Sequence, residues 1–334
     1  MNDKVMLRHG DGGKHTSLLI KDIFYKHFYN DMLVNSLDAS VFDGNHWRLA
    51  FTTDSFVVKP LVFPGGDIGK LAICGTINDL VTAGAKPLYL SCGFIIEEGF
   101  NMELLEKIAA SMGETCRKTG VKIITGDTKV VEKGAVDGVF INTSGIGGLQ
   151  ANYQPKPIQE GDQIIITGGI AEHGTTIAVE RYGIKVEGNI KSDCRPLNHI
   201  LEKLQTYMGS IKLMKDPTRG GLATALNEIL EVSGRGIQLL EKAIPIAGEV
   251  KSINELLGLD PLYHACEGRM IMVVDKEKAD EVLGEIRGCE GCEDAAIIGS
   301  FLSTDIPSKV VMETVIGGRR IVGPLEGDML PRIC

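Results

Sequence analysis

The stretch Ser210-Ile211-Lys212-Leu213-Met214-Lys215-Asp216-Pro217-Thr218-Arg219-Gly220-Gly221 decides the fold class. Residues 210–214 read as a short apolar strand, and the helical spacing after it runs to Val232, with Gly234 beyond as a stop. Asp216 is placed to cap that helix and Pro217 to take its first position, where a missing N–H is no loss. A strand feeding a helix through a polar turn is the unit of a mixed α/β protein.

The same alternation recurs on both sides. Upstream, helical spacing covers 17–34, and a strand from Trp47 to Thr53 ends on Asp54, with a second strand at 56–58. Asp67 is a suitable N-cap for a helix over 67–83, which carries the polar pair Asn78-Asp79 and stops at Gly84. A buried strand over 88–96, an amphipathic helix over 102–118 closed by Gly120, a strand at 121–125 running into Gly126-Asp127-Thr128-Lys129, and a strand at 138–149 follow. Residues 150–162 hold two prolines and no period, which marks a domain boundary. Beyond it come a strand at 163–167, helices at 172–182 and 196–208, a helix near 247–257, a strand at 269–274, a helix at 276–286 and a strand at 295–301. Residues 310–316 and 319–322 read as a hairpin about a two-residue Gly317-Gly318 turn. The expected architecture is α/β (α+β): one sandwich domain over 1–152, with 1–16 a flexible glycine-rich segment, a second over 158–322, and a mobile tail over 323–334.

Composition sets limits on function. A chain of 334 residues with 43% hydrophobic content can fill two cores, and with 5% aromatics it must do so with aliphatic side chains. The net charge of −9 argues against a nucleic-acid or anionic-membrane binder. No run approaches the ~18 apolar residues of a membrane span, so a cytoplasmic location is expected. The eight cysteines are expected to be reduced and mostly buried. Cys289-Glu290-Gly291-Cys292 lacks a second pair at zinc spacing and reads as a surface loop, with a redox or metal role as the minor alternative.

Three apolar strands run into an acid, at Asp54, Asp127 and Asp216. Carboxylates that converge repel one another unless a cation sits between them, and Mg²⁺ suits such a set because substrate phosphates complete its shell. With Asp67 and Asp79 added, the metal reading outweighs the alternative that each acid merely caps a turn. Asp216 to Gly221 also offers an anion site, in which orphan N–H groups of Thr218, Arg219, Gly220 and Gly221 could meet a phosphate. Arg219 and Lys129 could offset charge on a transferring phosphoryl group. Glu267 in Cys266-Glu267-Gly268-Arg269 is either a base or the partner of Arg269 in an ion pair. Residues 8–16, with Gly10, Gly12, Gly13 and Lys14, fail the P-loop pattern but could fold over phosphates; a mobile segment is the alternative. At the other end, Gly323 to Cys334 could carry a terminal thiol ~40 Å if fully extended. It reads either as a swinging arm or as a frayed terminus.

These pieces resemble a known family. Phe51 to Val58, Phe63 to Lys70, Asn78 to Leu80, Gly126 to Lys129, Asp216 to Gly221, Glu267 to Arg269 and the terminal Pro331-Arg332-Ile333-Cys334 are similar to the HypE hydrogenase maturation proteins over nearly the whole length. The ending is the most specific mark. The other motifs are shared with the wider superfamily of aminoimidazole ribonucleotide synthetase, selenophosphate synthetase and thiamine-monophosphate kinase. The resemblance implies a homodimer paired through the N-terminal domain, with ATP and Mg²⁺ along the seam. It implies that Cys334 receives a carbamoyl group from the carbamoyltransferase HypF, that ATP drives its dehydration to a thiocyanate, and that the cyano group passes to iron on the HypC–HypD complex. In that scheme Asp54, Asp79, Asp127 and Asp216 serve Mg-ATP, the Gly10–Lys14 loop covers the phosphates, and Glu267 with Lys129 removes the N–H protons. Cys266 departs from the Asn expected before Glu-Gly-Arg, which leaves a second thiol near the site. Selenophosphate synthesis is disfavoured because residues 1–73 contain no cysteine. A non-catalytic thiol carrier or metallochaperone is the rival from another class.

Overall fold

The computed structural model describes residues 13–24, 27, 38–43, 48–149, 153–186, 188, 190–304 and 308–326. Trp47, Gly10, Gly12, Cys334 and most of the helix expected over 17–34 lie outside the described residues; its start appears as α1 (Lys14–Leu19) and a π-helical turn at Ile20–Phe24.

In the N-terminal half, β1 (Ser40–Asp43), β2 (Arg48–Phe56), the short ribbon of β3 (Val62–Phe63) and β4 (Gly66–Asp67), α2 (Ile68–Thr82), β5 (Ala85–Glu97), α3 (Met102–Thr119), β6 (Lys122–Val131) and β7 (Val139–Leu149) follow in order. The large sheet runs β1-β2-β7-β5-β6, antiparallel except for the parallel β5–β6 pair. Alternation sets its faces: on β2, Ala50, Thr52 and Phe56 turn inward while Phe51, Thr53 and Ser55 turn out. The inner face packs on α2. Asp67 caps this helix, its carboxylate accepting from the N–H groups of Gly69 and Lys70. All but Lys70 and Asp79 of the α2 residues are buried, the mark of a helix with cover on every side. Small residues permit that cover. A Cβ on Gly69 would sit 2.6 Å from the Ile108 carbonyl oxygen, and one on Gly75 would sit 2.9 Å from the Phe56 ring. The outer face leaves Phe51, Tyr89, Ile95 and Ile146 exposed.

In the C-terminal half come β8 (Gln163–Ile166), α4 (Glu172–Tyr182), α5 (Asn198–Lys203), β9 (Ile211–Lys215), α6 (Gly221–Ser233), β10 (Ile237–Leu240), α7 (Gly248–Leu257), β11 (Ile271–Val274), α8 (Ala279–Arg287), β12 (Ala296–Phe301), β13 (Val310–Glu313) and β14 (Arg319–Ile321). The sheet order is β14-β13-β10-β12-β8-β11-β9. Ile165 and Met272 face one side, where a single apolar core continues through α2 to Phe56, Ile77 and Ile108 of the other half. Ile164, Ile166, Ile271 and Val273 face the opposite side, where they pack against Leu222, Leu226 and Ile229 of α6. Among the described residues, no helix is long and apolar enough to cross a membrane.

Several sequence expectations need correction. β2 runs to Phe56 and β6 to Val131, so Asp54 and Asp127 sit inside strands rather than at their ends. Cross-strand bonds to β7 and β5 carry both strands past the polar residues. Only Asp216 follows its strand. The helix after it starts at Gly221 and not at Pro217, because Gly220 and Gly221 both adopt left-handed φ, +80° and +60°. The hairpin loop spans Thr314 to Gly318, closed by Thr314 N–H donating to the Gly318 carbonyl. Cys289 and Cys292 form a buried turn rather than a surface loop.

Candidate active site

A cavity of about 210 Å³ opens between the two halves, lined by Asp38, Thr52, Thr53, Asp54, Gly75, Asp79, Asp216, Thr218, Arg219 and Glu267. Each element supplies residues by its own periodicity. β2 turns Thr52 and Asp54 inward, α2 presents Gly75 and Asp79 one turn apart, and the β9–α6 connection adds Asp216, Thr218 and Arg219.

The acids burden one another. Burial first, then the charges of Asp216, Asp54 and Asp38, push Asp79 well above the ordinary carboxylate range. Asp216 is pushed up to about 8 by burial and by Asp38, against the pull of Lys215. Burial also raises Asp54, partly offset by Arg219. The Thr52 hydroxyl has two acceptors, the Asp38 carbonyl oxygen at 2.9 Å and Asp79 Oδ2 at 2.8 Å, but only one proton. Both contacts are satisfied together only when the Asp79 carboxyl carries a proton of its own. A cation in the cavity would displace these protons.

Glu267 is the most constrained member. It is 2% exposed, and its Oε1 has no hydrogen-bond partner among the described residues. Burial, then Cys194, Asp216 and Asp193, raise its carboxyl well above the usual range. The alternative ion pair with Arg269 does not form. Arg269 instead donates to Glu172 Oε2 at 2.6 Å and to the carbonyls of Gly169 and Gly291, with Asp193 Oδ2 3.7 Å from its Nε. Asp193 holds the loop by accepting from the N–H groups of Glu267 and Gly268.

Other sequence candidates stand elsewhere. Asn78 faces away from the cavity: its Nδ2 donates to the carbonyls of Arg195 and Glu267, and its Oδ1 accepts from Leu197 N–H. It is a strut under Glu267. Asp67 is occupied as the α2 cap and by the Ser111 hydroxyl at 2.6 Å. Asp127 and Lys129 pair with each other at 2.8 Å on the exposed side of β6, beside a separate pocket of about 330 Å³ on the open sheet face. Within one chain they do not join Glu267 or the other acids. Gly220 and Gly221 have a packing reason for being glycine, since a Cβ on Gly221 would lie 2.5 Å from the His264 carbonyl oxygen. Cys266 is buried and accepts from Ala171 N–H at 3.3 Å, turned toward the C-terminal core. Sequence reasoning missed Asp38, Thr52, Thr53 and Gly75. Thr52 and Thr53 flank Asp54 on β2 and Gly75 lies one turn before Asp79; Asp38 had no signal beyond its nearness to a strand.

The tail root is pinned close by. Asn227 donates to the Val322 carbonyl, Tyr263 Oη to the Gly323 carbonyl at 3.0 Å, and Leu325 N–H to Thr224 Oγ1 on α6. Gly13 packs on Leu325, where a Cβ would meet its carbonyl oxygen at 2.3 Å, and Lys14 Nζ lies 3.7 Å from Glu326. From Glu326, eight further residues span at most about 26 Å, shorter than the whole twelve-residue reach.

Among the described residues, no three ligating side chains converge tightly enough to hold an ion alone. The carboxylates of Asp54, Asp79 and Asp216 beside the buried Asp38 Oδ2, which has no partner among the described residues, nonetheless fit magnesium, a cation that takes oxygen ligands and completes its shell with water and phosphate.

Family models for AIR synthase related proteins match residues 36–149 (N-terminal domain) and 159–308 (C-terminal domain). The carbamoyl dehydratase HypE of Bradyrhizobium diazoefficiens is 46% identical over 100% of this chain and 97% of its own length. That of Escherichia coli K12 is 40% identical over 99% of this chain and 100% of its own. The chain belongs to the HypE family. A crystal structure of a HypE–HypF complex superposes with a TM-score of 0.87 at 45% identity, covering 92% of this chain and 99% of that one. A HypE structure in complex with ATP gives 0.83 at 45% identity, covering 99% and 100%. Thiamine monophosphate kinase from Aquifex aeolicus, at 14% identity and 0.68, shares the fold.

Proposed function

We propose that this chain is an ATP-dependent carbamoyl dehydratase of hydrogenase maturation that acts on its own terminal thiol, Cys334. The observation that carries the reading is Glu267, a buried carboxyl with one oxygen unpartnered in the wall of an acidic cavity. The tail root is pinned to α6, the helix that leaves that same wall. Relatives across the full length carry the dehydratase name, and one relative has been seen with ATP and another with HypF.

Cys334 carries a carbamoyl group, S–C(=O)–NH₂, supplied by HypF. The carboxamide oxygen attacks the γ-phosphorus of ATP, forming an O–P bond as the bond to ADP breaks. The C–O bond then breaks with phosphate leaving, and two N–H protons depart, giving S–C≡N; one proton ends on phosphate and one is released. Phosphorylation is needed because the oxygen of an amide is a poor leaving group. Glu267, once ionised in the loaded complex, accepts an N–H proton, and its burial excludes water that would hydrolyse the intermediate. Magnesium would be held by Asp54, Asp79, Asp216 and Asp38, and when bound would offset charge on the phosphates. Arg219 and Thr218 face the phosphates from the β9–α6 connection. The exposed apolar sheet face suits a second copy, and Asp127 and Lys129 join the site only across that seam. The cyano group then passes to iron on a HypC–HypD complex in the cytoplasm.

Mass spectrometry of the C-terminal peptide tests the reading. The carbamoylated protein with ATP and magnesium should lose water from that peptide, while Cys334→Ala should bind nucleotide and carry no adduct. A carbamoyl group that persists unchanged through ATP treatment would refute dehydration and leave a thiol carrier.

A further inference from the structure

Lys215 has no part in the scheme above, yet it is among the most buried lysines of the chain, 8% exposed at the end of β9. Its ammonium lies in short contact with Asp38 Oδ1 and 3.1 Å from Glu228 Oε2 on α6. Asp38 precedes β1 of the N-terminal half, whereas Lys215 and Glu228 belong to the C-terminal half. One cation therefore crosses the boundary between the halves, immediately before Asp216 of the cavity wall. Burying an ammonium and two carboxylates is favourable only when their geometry is held closely, and removing one partner leaves an uncompensated charge. Asp38 shows what this grip leaves available. Lys215 takes Oδ1, while Oδ2 is buried, has no partner among the described residues, and belongs to a residue of the cavity wall.

We propose that Lys215 is a positioning residue for the magnesium-nucleotide site: it fixes Asp38 by one oxygen so that the other faces the cavity, and with Glu228 it keeps the two halves in register across the site. The inference rests on the magnesium-nucleotide reading of the cavity. A partner that orients a metal-binding group typically changes metal affinity by about 10–100-fold when removed. Lys215→Met should thus raise the magnesium concentration needed for half-saturation by about tenfold or more. Lys215→Arg keeps the charge and should recover most of that loss.

The test is calorimetric titration of the full chain, without a carbamoyl group, with the non-hydrolysable imido analogue of ATP at graded magnesium; melting without ligand checks folding. In an Asp38→Asn background, adding Lys215→Met should bring little further loss, because the lysine acts through that carboxylate. Should Lys215→Met fail to fold, Glu228→Gln carries the prediction at smaller scale, a two- to threefold rise. Wild-type protein that binds the analogue with unchanged magnesium dependence in folded Lys215→Met overturns the inference alone, as does an unchanged dependence in Glu228→Gln when Lys215→Met does not fold. Wild-type protein that fails to bind the analogue at any magnesium concentration overturns the reading of the cavity and the inference with it.

Discussion

Glu267→Gln separates chemistry from folding, because the two should move in opposite directions. The amide has nearly the shape of the protonated carboxyl, so the loop held by Asp193 and Asn78 keeps its bonds, which run to main-chain groups of residue 267 and not to its side chain. Loss of a positioned base typically slows a proton transfer by roughly 10²–10⁴-fold, about 2.7–5.4 kcal/mol of barrier. Thiocyanate formation on carbamoylated Cys334 should fall by that amount in a quenched time course, with nucleotide binding retained. Stability follows from linkage. Burial raises the folded-state pKa of Glu267 well above its unfolded value. Between those two values the unfolded chain ionises the group and the folded one does not, so this residue destabilises the protein progressively as pH rises above about 4.5. Gln removes that dependence. Urea melts of the unliganded protein should show the variant at least as stable as wild type at pH 7.5, with the difference vanishing near pH 4. A variant that makes thiocyanate at the wild-type rate would remove Glu267 from the chemistry, and one that is less stable at pH 7.5 would refute the account of its burial.

Three further outcomes are expected. Asp216, raised to about 8, holds a proton at neutral pH in the unliganded protein, so magnesium-nucleotide binding should release protons and tighten from pH 6.5 to 8.5; calorimetry in buffers of different ionisation enthalpy reads this directly, and pH-independent binding would contradict it. Asn78→Ala removes three hydrogen bonds at the boundary between the halves and leaves buried main-chain groups unsatisfied, which should lower stability by about 2–4 kcal/mol in urea titration. Ile95→Asp puts a charge into the exposed apolar sheet face, and sedimentation should show dissociation of the proposed dimer while the circular dichroism of the fold persists.

Much of this fold was legible because local patterns and tertiary context agree. Asp67 caps α2, Gly120 closes α3, and the order of strands and helices follows the hydrophobic period. Failures arose where pairing overrode the pattern. Asp54 and Asp127 read as strand ends, yet cross-strand hydrogen bonding continues β2 and β6 past them. Gly220 and Gly221 read as an approach for phosphate, but their left-handed backbone and the chain at 262–264 demand glycine there. Within the site, Asp54, Asp79, Asp216 and Glu267 could be named from motifs. Asp38 could not, because its place depends on Lys215, 177 residues away, and no local spacing encodes that distance. Asn78 stands out in the sequence as a polar residue in an apolar helix, and in the structure it bonds the main chain of Arg195, Leu197 and Glu267; ligand binding and the bracing of a neighbour carry the same sequence signature.

The apolar core that passes from the first sheet through α2 into the second belongs to neither half alone. Cutting the chain between β7 and β8 would leave α2 bare along the side that meets Leu197, Ile200 and Met214, and the C-terminal fragment would expose those same residues to water. The molecule should therefore melt in one cooperative step, and separately expressed halves should aggregate unless they are made together. A cavity built on such a shared interior has little freedom to open by hinging of one half against the other.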